Sequence, residues 1–269
     1  MPKPPGTTHM HRMTIRTLYP VFIFLTLVVL LKKNLLQYAI GLEPVLAEHY
    51  GKILHNSAVI LLSLGFIYRY RLAGVAGLGW APLRDAPLLL YPLAIIALLG
   101  ASNLDTIRST DTSLLWVYLL AMFSVGLAEE FAFRGFVQSY LLAQTRSKSA
   151  VWMAAFLFGA LHFINLLQEP DNLENIAKQV LIAVSLGLYF GALLLRTGNL
   201  LVVGLLHGLI DFVFGIYRLA PEPEAAATPE TAGSSTFSLY YILVLLPLLS
   251  GLYLLRSVSV PNTPDNRDT

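Results

Sequence analysis

Six ionisable side chains fall where this chain is otherwise apolar. Glu129, Glu130 and Arg134 interrupt a run that begins at Ser113, His162 lies inside residues 150–167, and His207 and Asp211 lie inside 199–217. Each Glu or Arg costs roughly 2.5–3.5 kcal/mol at mid-bilayer on insertion scales. They are therefore expected to face the protein interior, pair, or line a wet cavity. Glu130 and Arg134 stand four apart on one helix face, the spacing of an ion pair. Glu129 is turned about 100° away and needs a different partner, for which His162, His207 and water are the candidates. His207 and Asp211, and likewise Phe158 and His162, are also one turn apart.

Desolvation favours the neutral form of a carboxylate, so a buried one is a better proton acceptor; Glu129 has the setting of a general base for water. Amide hydrolysis also needs donors for a developing oxyanion, which a histidine can supply. The same residue types, Glu129, His162 and His207, could instead bind zinc, although no His-Glu-x-x-His motif is present. As simple polar locks between helices, these positions would cost less as Asn, Gln, Ser or Thr. The other histidines, His9, His11, His49 and His55, lie in or beside polar segments.

The elements that must carry these groups read as membrane helices. The chain has 269 residues, 56% hydrophobic and 13% charged, well below the quarter charged of a soluble protein. Apolar runs at 18–31, 53–68, 86–100, 113–142, 150–167, 176–195, 199–217 and 237–255 approach the roughly 20 residues that cross a bilayer. They do not alternate as barrel strands do, so the predicted fold is all-α, a polytopic membrane bundle of about eight transmembrane helices. Residues 35–46 are a possible extra interfacial piece. The first run ends on Lys32-Lys33-Asn34 instead of a small-residue cleavage site, as in an uncleaved signal anchor.

With eight spans, twelve Lys and Arg fall on one side and six on the other, which places both termini in the cytoplasm of an inner or plasma membrane. The net charge of +2 and the scattered basic residues argue against a nucleic-acid partner. Absence of cysteine excludes disulfides, thiolate metal sites and a thiol nucleophile. Residues 220–235 and 257–269 have the composition of a flexible loop and a disordered tail. No internal repeat is visible, which disfavours a transporter built from duplicated halves.

Taken in order, Glu129-Glu130-x-x-x-Arg134, Phe158-x-x-x-His162 and His207-x-x-x-Asp211 resemble the three motifs of the CAAX prenyl endopeptidase and bacteriocin-processing membrane proteases, the CPBP or Abi family. Gly187-Leu188-Tyr189-Phe190-Gly191 and Thr197-Gly198-Asn199-Leu200 resemble the family's glycine helix and the turn before its last motif. The resemblance implies an intramembrane endopeptidase without a metal cofactor, with Glu129 activating water, His162 assisting, and His207 and Asp211 on the oxyanion side. Glu130, Arg134 and Phe158 would support them, and the substrate would be a membrane-anchored protein or peptide. Many members carry Asn at the position of Asp211, and an ionised Asp cannot donate a hydrogen bond.

The expected organisation is N-terminal membrane helices over 1–112, a catalytic core over 113–217, and a loop, last helix and tail over 218–269. A non-catalytic peptide-binding or immunity protein and a proton-coupled transporter are the competing classes. Depth adds a constraint. His162 lies about 18 Å along its helix, so Glu129 can reach that level only if its own helix continues to about Leu142.

Overall fold

The computed structural model describes residues 15–31, 44–78, 85–167, 169–219 and 233–256. They form α1 (Ile15–Leu31), α2 (Pro44–Arg69), α3 (Leu90–Ser102), α4 (Leu104–Ser109), α5 (Thr112–Glu130), α6 (Ser139–Leu142), α7 (Ser147–Leu161), α8 (Leu173–Thr197), α9 (Leu200–Gly215) and α10 (Gly233–Arg256). A π-helical stretch, Phe131–Gln138, joins α5 to α6, and short 3-10 turns cover Ala86–Leu89, His162–Leu167 and Ile216–Leu219. No strand occurs among the described residues, as the absence of period-two alternation predicts.

Five helical segments are long and apolar enough to cross a membrane: Val45–Arg69, Thr112–Leu142, Ser147–Leu167, Leu173–Thr197 and Leu200–Leu219. The other three predicted runs appear as shorter apolar helices, Leu18–Val29, Ala86–Ser102 and Val244–Arg256, so a count of eight spans is not established. Hydropathy identifies apolar runs, while crossing also requires length. The interfacial piece predicted at 35–46 lies mostly outside the described residues, as do nearly all of the predicted loop at 220–235 and the tail; α10 begins already at Gly233.

The helix carrying Glu129 does continue to Leu142, which places Glu129 near the middle of a single 31-residue element. Asp111 caps its start, accepting from the backbone N–H of Ser113 at 2.9 Å and Leu114 at 3.1 Å. The Ser113 hydroxyl, followed by the Leu114 amide, holds the Asp111 carboxyl below its usual range. Farther along, the helix widens: the Ser139 hydroxyl donates to the Arg134 carbonyl five residues back, at 3.0 Å. Every residue from Ala132 to Leu141 is buried. Phe136 fills the centre of this half, its ring 4.7 Å from Phe24 of α1 and 5.0 Å from Phe66 of α2.

Glycines set how near the site helices come. A methyl group on Gly126 of α5 would fall 2.3 Å from the Gly208 nitrogen, and one on Gly208 would fall 2.7 Å from the Phe123 Cα. The α5 and α9 backbones thus touch where only hydrogen fits, the small-residue logic of membrane helix pairs. On the other side, Gly187 packs on Ala155 of α7, and Gly191 packs on Gln138 and Val151. Gly198, at φ 67°, ends α8, and Asn199 starts α9 by accepting from the Val202 amide at 3.1 Å. The turn resembling the family's Thr-Gly-Asn-Leu element is thus a C-cap followed directly by an N-cap.

Candidate active site

The close α5–α9 contact brings one face of each helix together one turn farther on. There His207 Nδ1 lies 2.8 Å from Glu130 Oε1. A carboxylate can only accept, so Nδ1 carries the hydrogen and donates. Nε2 then points away, 3.6 Å from Glu129 Oε2 and 3.8 Å from Asp211 Oδ2. Three carboxylates from two helices therefore surround one imidazole, and the ring is itself buried.

Glu130 also pairs with Arg134, Nη1 to Oε1 at 3.1 Å, with their side chains 0% and 1% exposed. This is the pairing expected from the four-residue spacing. The guanidinium approaches off the hydrogen-bond line, and neither η nitrogen nor Glu130 Oε2 has a hydrogen-bond partner among the described residues. Aromatic faces receive the charge instead. The Arg134 Cζ lies 4.6 Å from the centre of the Phe158 ring and 5.9 Å from that of Phe190.

Phe158 is the common neighbour of the site. Besides Arg134, its ring meets His162 edge-on at 5.1 Å and His207 at 6.1 Å, and it packs on Phe133 at 5.0 Å. Phe190 closes the other face of His207 at 5.0 Å. His162 stands at the end of α7, where the helix tightens into a 3-10 turn, and its Nδ1 bonds to the Phe158 carbonyl at 3.0 Å. Because a carbonyl only accepts, Nδ1 is the protonated nitrogen and Nε2 is left as an acceptor.

Glu129 differs from its neighbour. Its side chain is 32% exposed and that of Asp211 30%, so both stand at an open edge of the cluster. The expected division of the acidic pair, Glu130 to Arg134 and Glu129 free, is present. The expected contact of Glu129 with His162 is not: Glu129 is within ion-pair distance of His207, and His162 bonds to its own helix. The alternative zinc ligands Glu129, His162 and His207 do not form a three-ligand cluster; no such group of His, Asp or Glu exists among the described residues.

Several participants were not singled out in the sequence. Gln138, fully buried, donates to the Gly191 carbonyl at 3.1 Å and ties the π-helical stretch to α8. Asn56 of α2 donates to Ser124 Oγ at 3.0 Å, fixing α5 lengthwise. The available signal was a polar residue within apolar sequence one helical turn or so from the charged group: Gln138 stands four positions after Arg134, and Ser124 five before Glu129. His49, grouped with polar segments by its neighbours, is instead buried with its ring 5.3 Å from Tyr118.

A helical membrane chain whose buried centre joins two acidic residues, an arginine and a histidine is a candidate membrane enzyme. Residues 111–213 match the family model described as type II CAAX prenyl endopeptidase, Rce1-like. The match covers less than half of the chain and contains all three motifs. It supports the CPBP or Abi family for this core, a family of membrane-embedded proteases. A search of curated proteins finds no match.

Proposed function

We propose that the chain is an intramembrane endopeptidase that hydrolyses a peptide bond in a membrane-anchored protein or peptide with water activated by Glu129. The observation that carries this reading is the contrast within the acidic pair. Glu130 is consumed by Arg134 and His207, while Glu129 stands part-exposed beside His207 Nε2.

In the proposed reaction Glu129 takes a proton from water as the water oxygen attacks the amide carbonyl. The proton passes to the leaving nitrogen as the C–N bond breaks. His207, in its protonated form, donates Nδ1–H to Glu130 and presents Nε2–H beside Glu129, where it stabilises the oxyanion. Asp211, as a carboxylate, orients that Nε2–H and does not itself donate. His162 Nε2, an acceptor, helps to position the water. Both chain termini are assigned to the cytoplasm on the distribution of basic residues.

The test is cleavage of a panel of membrane-anchored peptides by purified wild-type and Glu129→Gln protein. Cleavage by the first and none by the second is expected. Equal cleavage by both rejects Glu129 as the base.

A further inference from the structure

Away from the cluster around His207, α1 and α2 leave a groove between them on the outside of the bundle. The two helices meet at Phe24 and Phe66, whose rings lie 5.1 Å apart. Beside this contact Gly65 presents no side chain. The glycines of the α5–α9 contact are filled by the facing helix, whereas a methyl group on Gly65 would meet nothing within 4 Å. The groove measures about 470 Å³ and is walled by Pro20, Ile23, Leu61, Leu62 and Phe66. That volume falls in the roughly 300–1,000 Å³ range of ligand sites.

A cation closes one end of it. Leu61, Gly65 and Arg69 stand four apart on one face of α2, so apolar wall, gap and charge follow one another along the helix. The Arg69 guanidinium is exposed and lies 5.6 Å from the centre of the Tyr70 ring, which also lines the groove. Among the described residues Arg69 and Arg71 have no carboxylate partner; the acid at this end of the bundle, Asp85, pairs with Arg196 at 2.7 Å.

Arg71 adds a backbone feature. Its φ of 56° lies in the left-handed region, which a residue with a side chain enters at a cost and which recurs at ligand clamps. The Arg71 amide donates to the Tyr68 carbonyl at 3.1 Å, and the Leu72 amide donates to the Ile67 carbonyl at 2.9 Å. This turn buries Leu72 and leaves Arg71 exposed, two residues from Arg69.

We propose that the groove binds one anionic phospholipid, with an acyl chain against Gly65 between α1 and α2 and the phosphate on Arg69, beside Arg71. Basic pockets between membrane helices select anionic headgroups. A guanidinium offers a phosphate two parallel hydrogen bonds, which a choline headgroup's positive charge opposes. The site is separate from the cluster around His207 and does not depend on the proteolytic reading.

The test is native mass spectrometry of the full chain released from nanodiscs of equal phosphatidylglycerol and phosphatidylcholine. Wild type should retain one phosphatidylglycerol in preference. Gly65→Leu, whose added side chain enters open space, should keep its helix content and lose the retained lipid. Arg69→Gln should lower the preference about fivefold, the effect of one Arg beside anionic lipid. Arg108→Gln, at the opposite end of the bundle, should leave it unchanged. Equal retention of the two lipids by wild type, or the same retention by wild type, Gly65→Leu and Arg69→Gln, overturns the site and leaves only a general lipid coat. Peptide cleavage is scored separately, so loss of either reading leaves the other standing.

Discussion

Glu129 and Glu130 are adjacent in sequence and opposite in circumstance. Glu130 is fully buried, bound by Arg134 and His207 and flanked by the packed half of the bundle. Glu129 is about one-third exposed at the edge of the cluster, with His207 Nε2 3.6 Å away. One residue of helical rotation separates a group that holds the site together from one that is available to react. The lesson is that a charge inside a membrane protein should be assigned by what already satisfies it, since the unspent one is where chemistry can occur.

The strongest way to break this comparison is to remove Glu130. Glu130→Ala leaves Arg134 buried without its counter-ion and should cost about 3–5 kcal/mol, read as a lowered Tm in detergent. Glu129→Gln, at a part-exposed side chain 3.6 Å from His207 Nε2, should cost about 1 kcal/mol or less, read in the same unfolding assay. Comparable destabilisation by both variants would end the distinction. A double variant, Glu130→Leu with Arg134→Met, should regain most of that stability and still fail to cleave, because His207 has lost its Nδ1 partner.

The next test separates the helices that bring the two acids to His207. Gly126→Ala places a methyl group against the α9 backbone and should cost about 1–3 kcal/mol, with a loss of cleavage larger than that of a control substitution of equal Tm. Asn56→Ala removes one buried hydrogen bond to Ser124 and should cost about 1 kcal/mol, measured by the same unfolding assay. The smallest effect is expected at Asp211→Asn, which keeps the shape and can donate as well as accept; cleavage should persist. A large loss there would show that the carboxylate charge itself is required.

The sequence made a good part of this legible. Charges in apolar runs identify the interior faces, and the four-residue spacings of Glu130 with Arg134 and of His207 with Asp211 give correct facing. The bond between Glu130 and His207 was not legible, since it depends on how near α5 comes to α9, and that distance is set by Gly126, Gly204 and Gly208, which taken singly look like ordinary membrane glycines. The span count was legible only as apolar runs; five of them have the length to cross. The widening of the helix from Phe131 to Gln138 was not legible, because Arg134 and Gln138, four apart, are spaced as an ordinary α-helix would place them, although nearly every residue there is buried.

That widened turn has a consequence for how the chain can change. A helix that has absorbed extra residues in its middle holds its two halves in a fixed rotational phase. Deleting a single residue between Phe131 and Gln138, for instance Val137, would let the segment tighten and turn its far half by about 100°. Tyr140 and Leu141 would swing out of the core while Glu129 and Glu130 stayed in place. Length in this stretch is therefore as constrained as composition: point changes are absorbed locally, whereas an insertion or deletion is transmitted to the whole half of the bundle beyond it.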